Sequence, residues 1–227
     1  MKRKIIPTVS TVVSVLLLAA CAPAALTPAP LSPSDLVATQ EAQTTGTNTT
    51  LPTVSNETDA VDTSGLACGH GQTSASVTPE LTEGPYYKVG SPELANLIQT
   101  GITGTKLVIT GYVYDTDCQP VANAWLDFWQ ADANGVYDNS GYTLRGHQYT
   151  DANGKYELTT VVPGLYPGRT EHIHLKVQAP NGQIITSQWF FPDVSQNDSD
   201  GIYLESMLLP VQETADGLQA QFNFVVP

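Results

Sequence analysis

From Lys106 onward the chain alternates apolar and polar residues with a period of two, interrupted at short intervals by turn-forming residues. The stretches Lys106 to Asp115, Ala124 to Gln130, Tyr156 to Val162, Glu171 to Gln178, Ile184 to Phe191 and Leu218 to Val226 are rich in β-branched and aromatic residues. Between them lie Asp132-Ala133-Asn134-Gly135, Asp151-Ala152-Asn153-Gly154 and Asn181-Gly182, which supply the positive-φ positions that tight turns need. The pattern predicts an all-β sandwich with few short helices. One helix is predicted to open at Ser91-Pro92-Glu93, with proline in its first turn, and to stop by Gly101.

The N-terminal part has another character. Lys2, Arg3 and Lys4 precede an apolar stretch that ends Leu18-Ala19-Ala20-Cys21, an export signal of the lipoprotein type in which cleavage before Cys21 exposes a thiol for acylation. The apolar run is short and interrupted by Pro7, Thr8, Ser10 and Thr11, which argues against a membrane span. Residues 1–20 are therefore read as a signal. Residues 21–65 form an Ala-, Pro-, Thr- and Ser-rich tether with no apolar periodicity to bury, reaching roughly 40 Å as a flexible coil. Residues 66–227 form one folded domain.

Charge and cysteines narrow the partners. Over the whole chain 9 Lys and Arg face 22 Asp and Glu, for a net charge of -13, and loss of the signal removes three of those cations and no acid. Such a surface repels phosphate backbones, so nucleic acid is excluded as a partner and acyl chains become the means of membrane attachment. The expected location is the cell envelope, outside the cytoplasm. With Cys21 acylated, Cys68 and Cys118 remain, and two cysteines in an oxidising compartment are expected to pair as a disulfide.

The segment richest in chemistry runs from Pro163 to Val177. On a strand, His172, His174 and Lys176 point to one face and Ile173, Leu175 and Val177 to the other. Taken alone, His-x-His fits a polar sheet edge as well as two imidazoles sharing a metal ion. Arg169 lies three residues before His172 on a Gly- and Pro-rich turn, which adds a fixed positive charge beside the pair.

Together with Thr82-Glu83-Gly84-Pro85-Tyr86-Tyr87, Asp117 to Ala124, Trp129 to Tyr137, Leu144 to Asp151 and Tyr166 to His174, in that order, this segment resembles the intradiol ring-cleavage dioxygenases, over about residues 66 to 195. The resemblance implies a non-haem Fe(III) held by Tyr137, Tyr166, His172 and His174, and O2-dependent opening of a catechol-type ring to a cis,cis-muconate-type diacid. Anionic phenolate oxygens suit the ferric state. It also implies that Tyr166 gives way to the substrate, that Arg169 stabilises negative charge on the ring, and that Gln188 lies near it. Pro85 and Tyr86 are expected to line the pocket. Arg145 is read as a structural ion-pair residue, and His70 and His147 as surface or packing histidines.

Two departures from the family stand out. No segment resembles the helical N-terminal domain through which catechol-cleaving members dimerise, and the interval from Tyr166 to Arg169 is shorter than in the soluble enzymes. The scarcity of cations favours catechol or hydroxyquinol over a carboxylated ring. Competing readings are a transthyretin-like module that binds a metal or an aromatic without turnover, a zinc hydrolase completed by a carboxylate, and a vestigial envelope protein.

Overall fold

The computed structural model describes residues 66–69 and 71–227. The signal, the tether with Cys21, and His70 lie outside the described residues. Nine strands follow in chain order: β1 (Lys106–Asp115), β2 (Trp125–Trp129), β3 (Arg145–Tyr149), β4 (Lys155–Val161), β5 (His172–Gln178), β6 (Ile184–Phe190), β7 (Gln212–Thr214), β8 (Gly217–Gln221) and β9 (Phe224–Val226). They form two sheets, one ordered β3-β2-β5-β6 and the other β4-β1-β8-β7 with β9 also on β1. Leu126, Phe128, Ile173, Leu175, Val177 and Trp189 of the first sheet meet Leu107, Ile109, Val113, Leu158 and Phe224 of the second, all essentially sealed from solvent. Burying these side chains drives the sandwich together, each contributing roughly 1.5–3 kcal/mol.

The stretch predicted as one strand from Leu218 to Val226 is two, both parallel to β1. At the break, the Phe222 amide donates to Thr110 and its carbonyl accepts from the Tyr156 hydroxyl at 2.8 Å, while Asn223 Oδ1 accepts from the Tyr112 amide at 3.1 Å. The chain runs so close to β1 here that a Cβ on Gly111 would collide with the Phe222 carbonyl. Gly111→Ala is expected to cost about 3 kcal/mol by forcing this junction apart, read as a lowered midpoint in chemical denaturation.

The helix predicted from Ser91 does not form. Residues 91–98 form no helix and make bridges from Glu93 to His147 and from Asn96 to Thr159, and a turn follows at residues 99–102. The Pro92 and Ala95 carbonyls accept from the His147 and Thr159 amides, and the Leu94 and Leu97 amides donate back to the same two residues. These backbone groups join the edge strands β3 and β4 of opposite sheets, and Leu97 is buried in the core as a result. Tertiary pairing here outweighs the capping signal. Helical turns among the described residues are confined to two 3-10 segments, Ser195–Ser199 and Glu205–Met207. Cys68 and Cys118 are joined by a disulfide that ties the start of the domain to the turn after β1.

Candidate active site

The site is built on the outer face of the β3-β2-β5-β6 sheet. The alternation read from the sequence holds on β5: Ile173, Leu175 and Val177 enter the core, and His172, His174 and Lys176 occupy the other face. That outer face is buried too, because residues 81–87 cross it as a strap. Strand register places Trp129 and Gln188 on either side of His174, so the three form one rung of the sheet.

Tyr137 and Tyr166 arrive on loops. In Asp132-Ala133-Asn134-Gly135, Asp132 Oδ1 accepts the amides of Asn134 and Val136, both at 2.9 Å. The echo at Asp151 folds the same way, with Asp151 Oδ1 accepting from Asn153 and Lys155. The tyrosine that follows the second turn, Tyr156, is in the core. The first turn is contacted by the Pro163 to Tyr166 segment, whose Gly164 amide donates to the Asp132 carbonyl at 2.8 Å. Gly135, at φ 78°, permits the approach, since a Cβ there would strike the Leu165 carbonyl. Close packing of two loops thus brings the two phenol rings to 5.8 Å between centroids, edge to face.

The donor atoms converge. His172 Nε2 lies 3.1 Å from His174 Nε2 and 3.4 Å from the Tyr137 hydroxyl, and the Tyr166 ring is 5.6 Å from the His172 ring. Two ligands at right angles, each about 2.1 Å from one ion, are separated by about 3 Å, so the nitrogen spacing suits a shared metal. His172 Nδ1 is 2.6 Å from the Thr170 carbonyl, which assigns its proton to that nitrogen and leaves Nε2 as a lone pair facing the cluster. Burial holds His172 at about 4, and His174 is pushed well below its ordinary value by burial and by His172, so both are neutral and able to ligate. Burial and the neighbouring Tyr166 push the Tyr137 phenol above its usual range, so its deprotonation calls for a strongly charged cation. Among the described residues no three His, Cys, Asp or Glu side chains gather at one point, so the donor set for a zinc hydrolase is absent there.

Around the donors, Trp129 stacks on His174 at 4.9 Å and Tyr86 on Tyr137 at 4.3 Å. A Cβ on Gly84 would sit 3.2 Å from His174 Cε1, so the strap covers that imidazole closely. Arg169 Nε donates to Asp200 at 2.8 Å and Nη2 to Gln188 Oε1 at 2.7 Å, while the Gln188 amide donates to the Thr82 carbonyl at 2.7 Å. Although burial opposes its charge, Asp200 is held below the ordinary carboxylate range by the Thr170 and Ile202 amides and by Arg169. Beside this group opens a cleft of about 420 Å³ lined by Tyr166, Arg169, Leu165, Gln196, Ser199 and Asp200 among others.

Tyr137, Tyr166, His172, His174, Arg169, Gln188 and Tyr86 are therefore neighbours, and Pro85 lies on the strap between Gly84 and Tyr86. Arg145 differs from its expected role. Among the described residues it makes no ion pair, and its buried guanidinium donates to the Tyr86 carbonyl at 2.6 Å and to the Asp138 carbonyl at 3.0 Å. Loop carbonyls turned inward need a donor there, and the Asp138 carboxylate is instead engaged by the amides of Ser140, Gly141 and Thr143. His147 is half-buried, with Nδ1 3.1 Å from the Ser91 hydroxyl. Sequence reasoning missed Asp200, which sits 31 residues from Arg169 and carries no local signal. It also passed over Trp129 as a partner of His174, which the alternation on β2 combined with strand register would have revealed.

Comparison with known proteins agrees with this fold. A family model described as dioxygenase matches residues 82–204. Hydroxyquinol 1,2-dioxygenase of Rhizobium sp. (strain MTP-10005) is 30% identical over 167 residues, which cover 61% of this chain and 56% of that protein. The chain thus spans about half the length of the curated relatives it matches. The dioxygenase domain of a dioxygenase carbohydrate-binding protein fusion from Streptomyces sp. SirexAA-E is 43% identical at TM-score 0.65, covering 66% of this chain and 98% of that one. An intradiol ring-cleavage dioxygenase from Tetranychus urticae is 25% identical at TM-score 0.61, covering 67% and 94%. From the ordered sequence match, the two-sheet fold and these relatives, the chain belongs to the intradiol ring-cleavage dioxygenase family.

Proposed function

We propose that this protein is an Fe(III)-dependent intradiol dioxygenase that opens catechol or hydroxyquinol rings with O2, placing both oxygen atoms in a cis,cis-muconate-type diacid. The observation that carries the reading is the convergence of the Tyr137 hydroxyl and two neutral imidazole nitrogens, with the Tyr166 ring 5.6 Å from the His172 ring and Arg169 nearby. Tyr137, Tyr166, His172 and His174 would hold the iron. When bound, ferric iron supplies a Lewis acid that chelates the diol and draws charge from its ring toward reaction with O2.

The protein groups then divide the work. Tyr137 is buried beneath Tyr86 and serves as a permanent ligand, whereas Tyr166 is half-buried in the cleft wall. Tyr166 is thus the phenol a substrate can reach, and in its deprotonated form it would take a proton from an incoming hydroxyl. Arg169 is oriented by Asp200 and Gln188, and its Nη1 has no partner among the described residues, leaving a donor for negative charge that develops on the ring. Tyr86 walls the site, stacked on Tyr137 and edge-on to Tyr166, while Pro85 beside it is exposed. Arg169 is the one cation lining the cleft, which favours rings without a second carboxylate.

Export with acylation at Cys21, and display of the domain from the envelope on the residue 21–65 tether, belong to the same proposal and rest on the sequence alone. The test of the chemistry is a visible spectrum of the purified full chain, before and after anaerobic catechol. A tyrosinate-to-iron charge-transfer band that shifts on adding catechol is the expected result. A chain that stays colourless after reconstitution with iron would overturn the ferric site and favour a binding module.

A further inference from the structure

The polar face of β5 carries one charged group that the proposed chemistry leaves unused. Lys176 is 7% exposed, and its Nζ donates to Glu83 Oε2 at 2.7 Å and to Thr186 Oγ1 at 2.8 Å. The same ammonium sits 4.5 Å over the Tyr87 ring and 5.9 Å from the Trp129 ring. The Tyr87 hydroxyl donates in turn to Asp127 at 3.3 Å, and Asp127 is directly opposite Lys176 in the strand register.

We propose that Lys176 is a positioning residue that clamps both ends of the Glu83 to Tyr87 loop, and so holds Gly84 against His174 and Tyr86 against Tyr137. The role in turnover rests on reading the tyrosine and histidine cluster as the ring-opening site. Lysine suits the position because a compact ammonium with three donors can serve a carboxylate and a hydroxyl while it lies over a ring face. Two other side chains hold the strap at single backbone points, Gln188 on the Thr82 carbonyl and Arg145 on the Tyr86 carbonyl. Lys176 alone among these grips residues 83 and 87 together, leaving Gly84, Pro85 and Tyr86 as a short closed span over the cluster.

The two partners differ in burial: the Lys176 side chain is 9% exposed and the Glu83 side chain 48%. Removing the lysine therefore leaves a carboxylate that can turn into water, so Lys176→Met is expected to fold. Removing the carboxylate leaves a buried cation with weaker compensation.

The experiment compares the full-length chain with Lys176→Met, Glu83→Ala and the double variant. It measures hydrogen exchange at the amides of Glu83, Gly84, Tyr86 and Tyr87 and steady-state kinetics of the iron-loaded protein on catechol. The expected result is exchange at those amides faster by about tenfold or more in Lys176→Met, with exchange in β5 unchanged. KM for catechol rises about tenfold while kcat stays within about threefold, and the double variant is no worse than the single one. Unchanged exchange overturns the clamp, and faster exchange with unchanged KM overturns its role in the site. If Lys176→Met does not fold, Glu83→Ala alone must show the same two changes. Loss of strap protection in a chain whose wild type turns over no catechol would leave the clamp standing and remove the ring-opening reading.

Discussion

Replacing His174 with alanine is expected to strip the protein of iron. The imidazole is sealed from solvent and its Nε2 faces His172 Nε2 at 3.1 Å. Loss of groups that merely orient a ligand costs about 10–100-fold in metal affinity, so loss of the ligand itself is expected to cost on the order of 10³-fold or more. The measurement is the iron-to-protein ratio after dialysis, read together with the visible band. His147→Ala is the control: it removes an imidazole from the same sheet face, bonded to Ser91 away from the cluster, and is expected to leave iron content unchanged. Full iron content in the His174→Ala protein would show that the metal binds elsewhere.

Arg169→Ala is expected to leave iron in place and to slow turnover by about 10²–10³-fold, the range found when one preorganised donor to developing charge is removed. The guanidinium is fixed from two sides, by Asp200 through Nε and by Gln188 through Nη2, so its remaining N–H groups are aimed without reorganisation during the reaction. The variant also leaves the Asp200 carboxylate, 2% exposed, with only backbone partners, and a lower melting temperature is expected as well. Steady-state kinetics alongside iron content separate the two effects. A rate within threefold of wild type at full iron content would mean that Arg169 serves only to hold the loop.

Part of this site was legible in the residues and part was not. His172 and His174 were legible because a period of two on a strand decides which side chains share a face, and that rule needs no tertiary information. Tyr137 was harder. The Asp132 and Asp151 turns have the same local sequence and the same local hydrogen bonds, yet one delivers a tyrosine to the site and the other to the core. The family resemblance made the distinction, and in the structure the packing of the Leu165 segment against Gly135 is what makes it physical.

The predicted helix at Ser91 and the predicted ion pair at Arg145 failed for a common reason. Both were inferred from what a residue prefers locally, and both positions are governed by backbone groups distant in sequence. Pro92 and Ala95 give their carbonyls to β3 and β4, and Arg145 is bonded to carbonyls of the strap and of the Asp138 loop.

The sequence by itself determined the alternation that makes a two-sheet sandwich, the turn chemistry between the strands, and the order of segments that marks the family. Those properties follow from side-chain period and backbone preference within a few residues. Only the tertiary structure decided that Asp200 and Gln188 hold Arg169, that Trp129 stacks on His174, and that a strap buries the polar face of β5 under Lys176. These contacts depend on which strands become neighbours and in what register, and burying the whole core settles that at once.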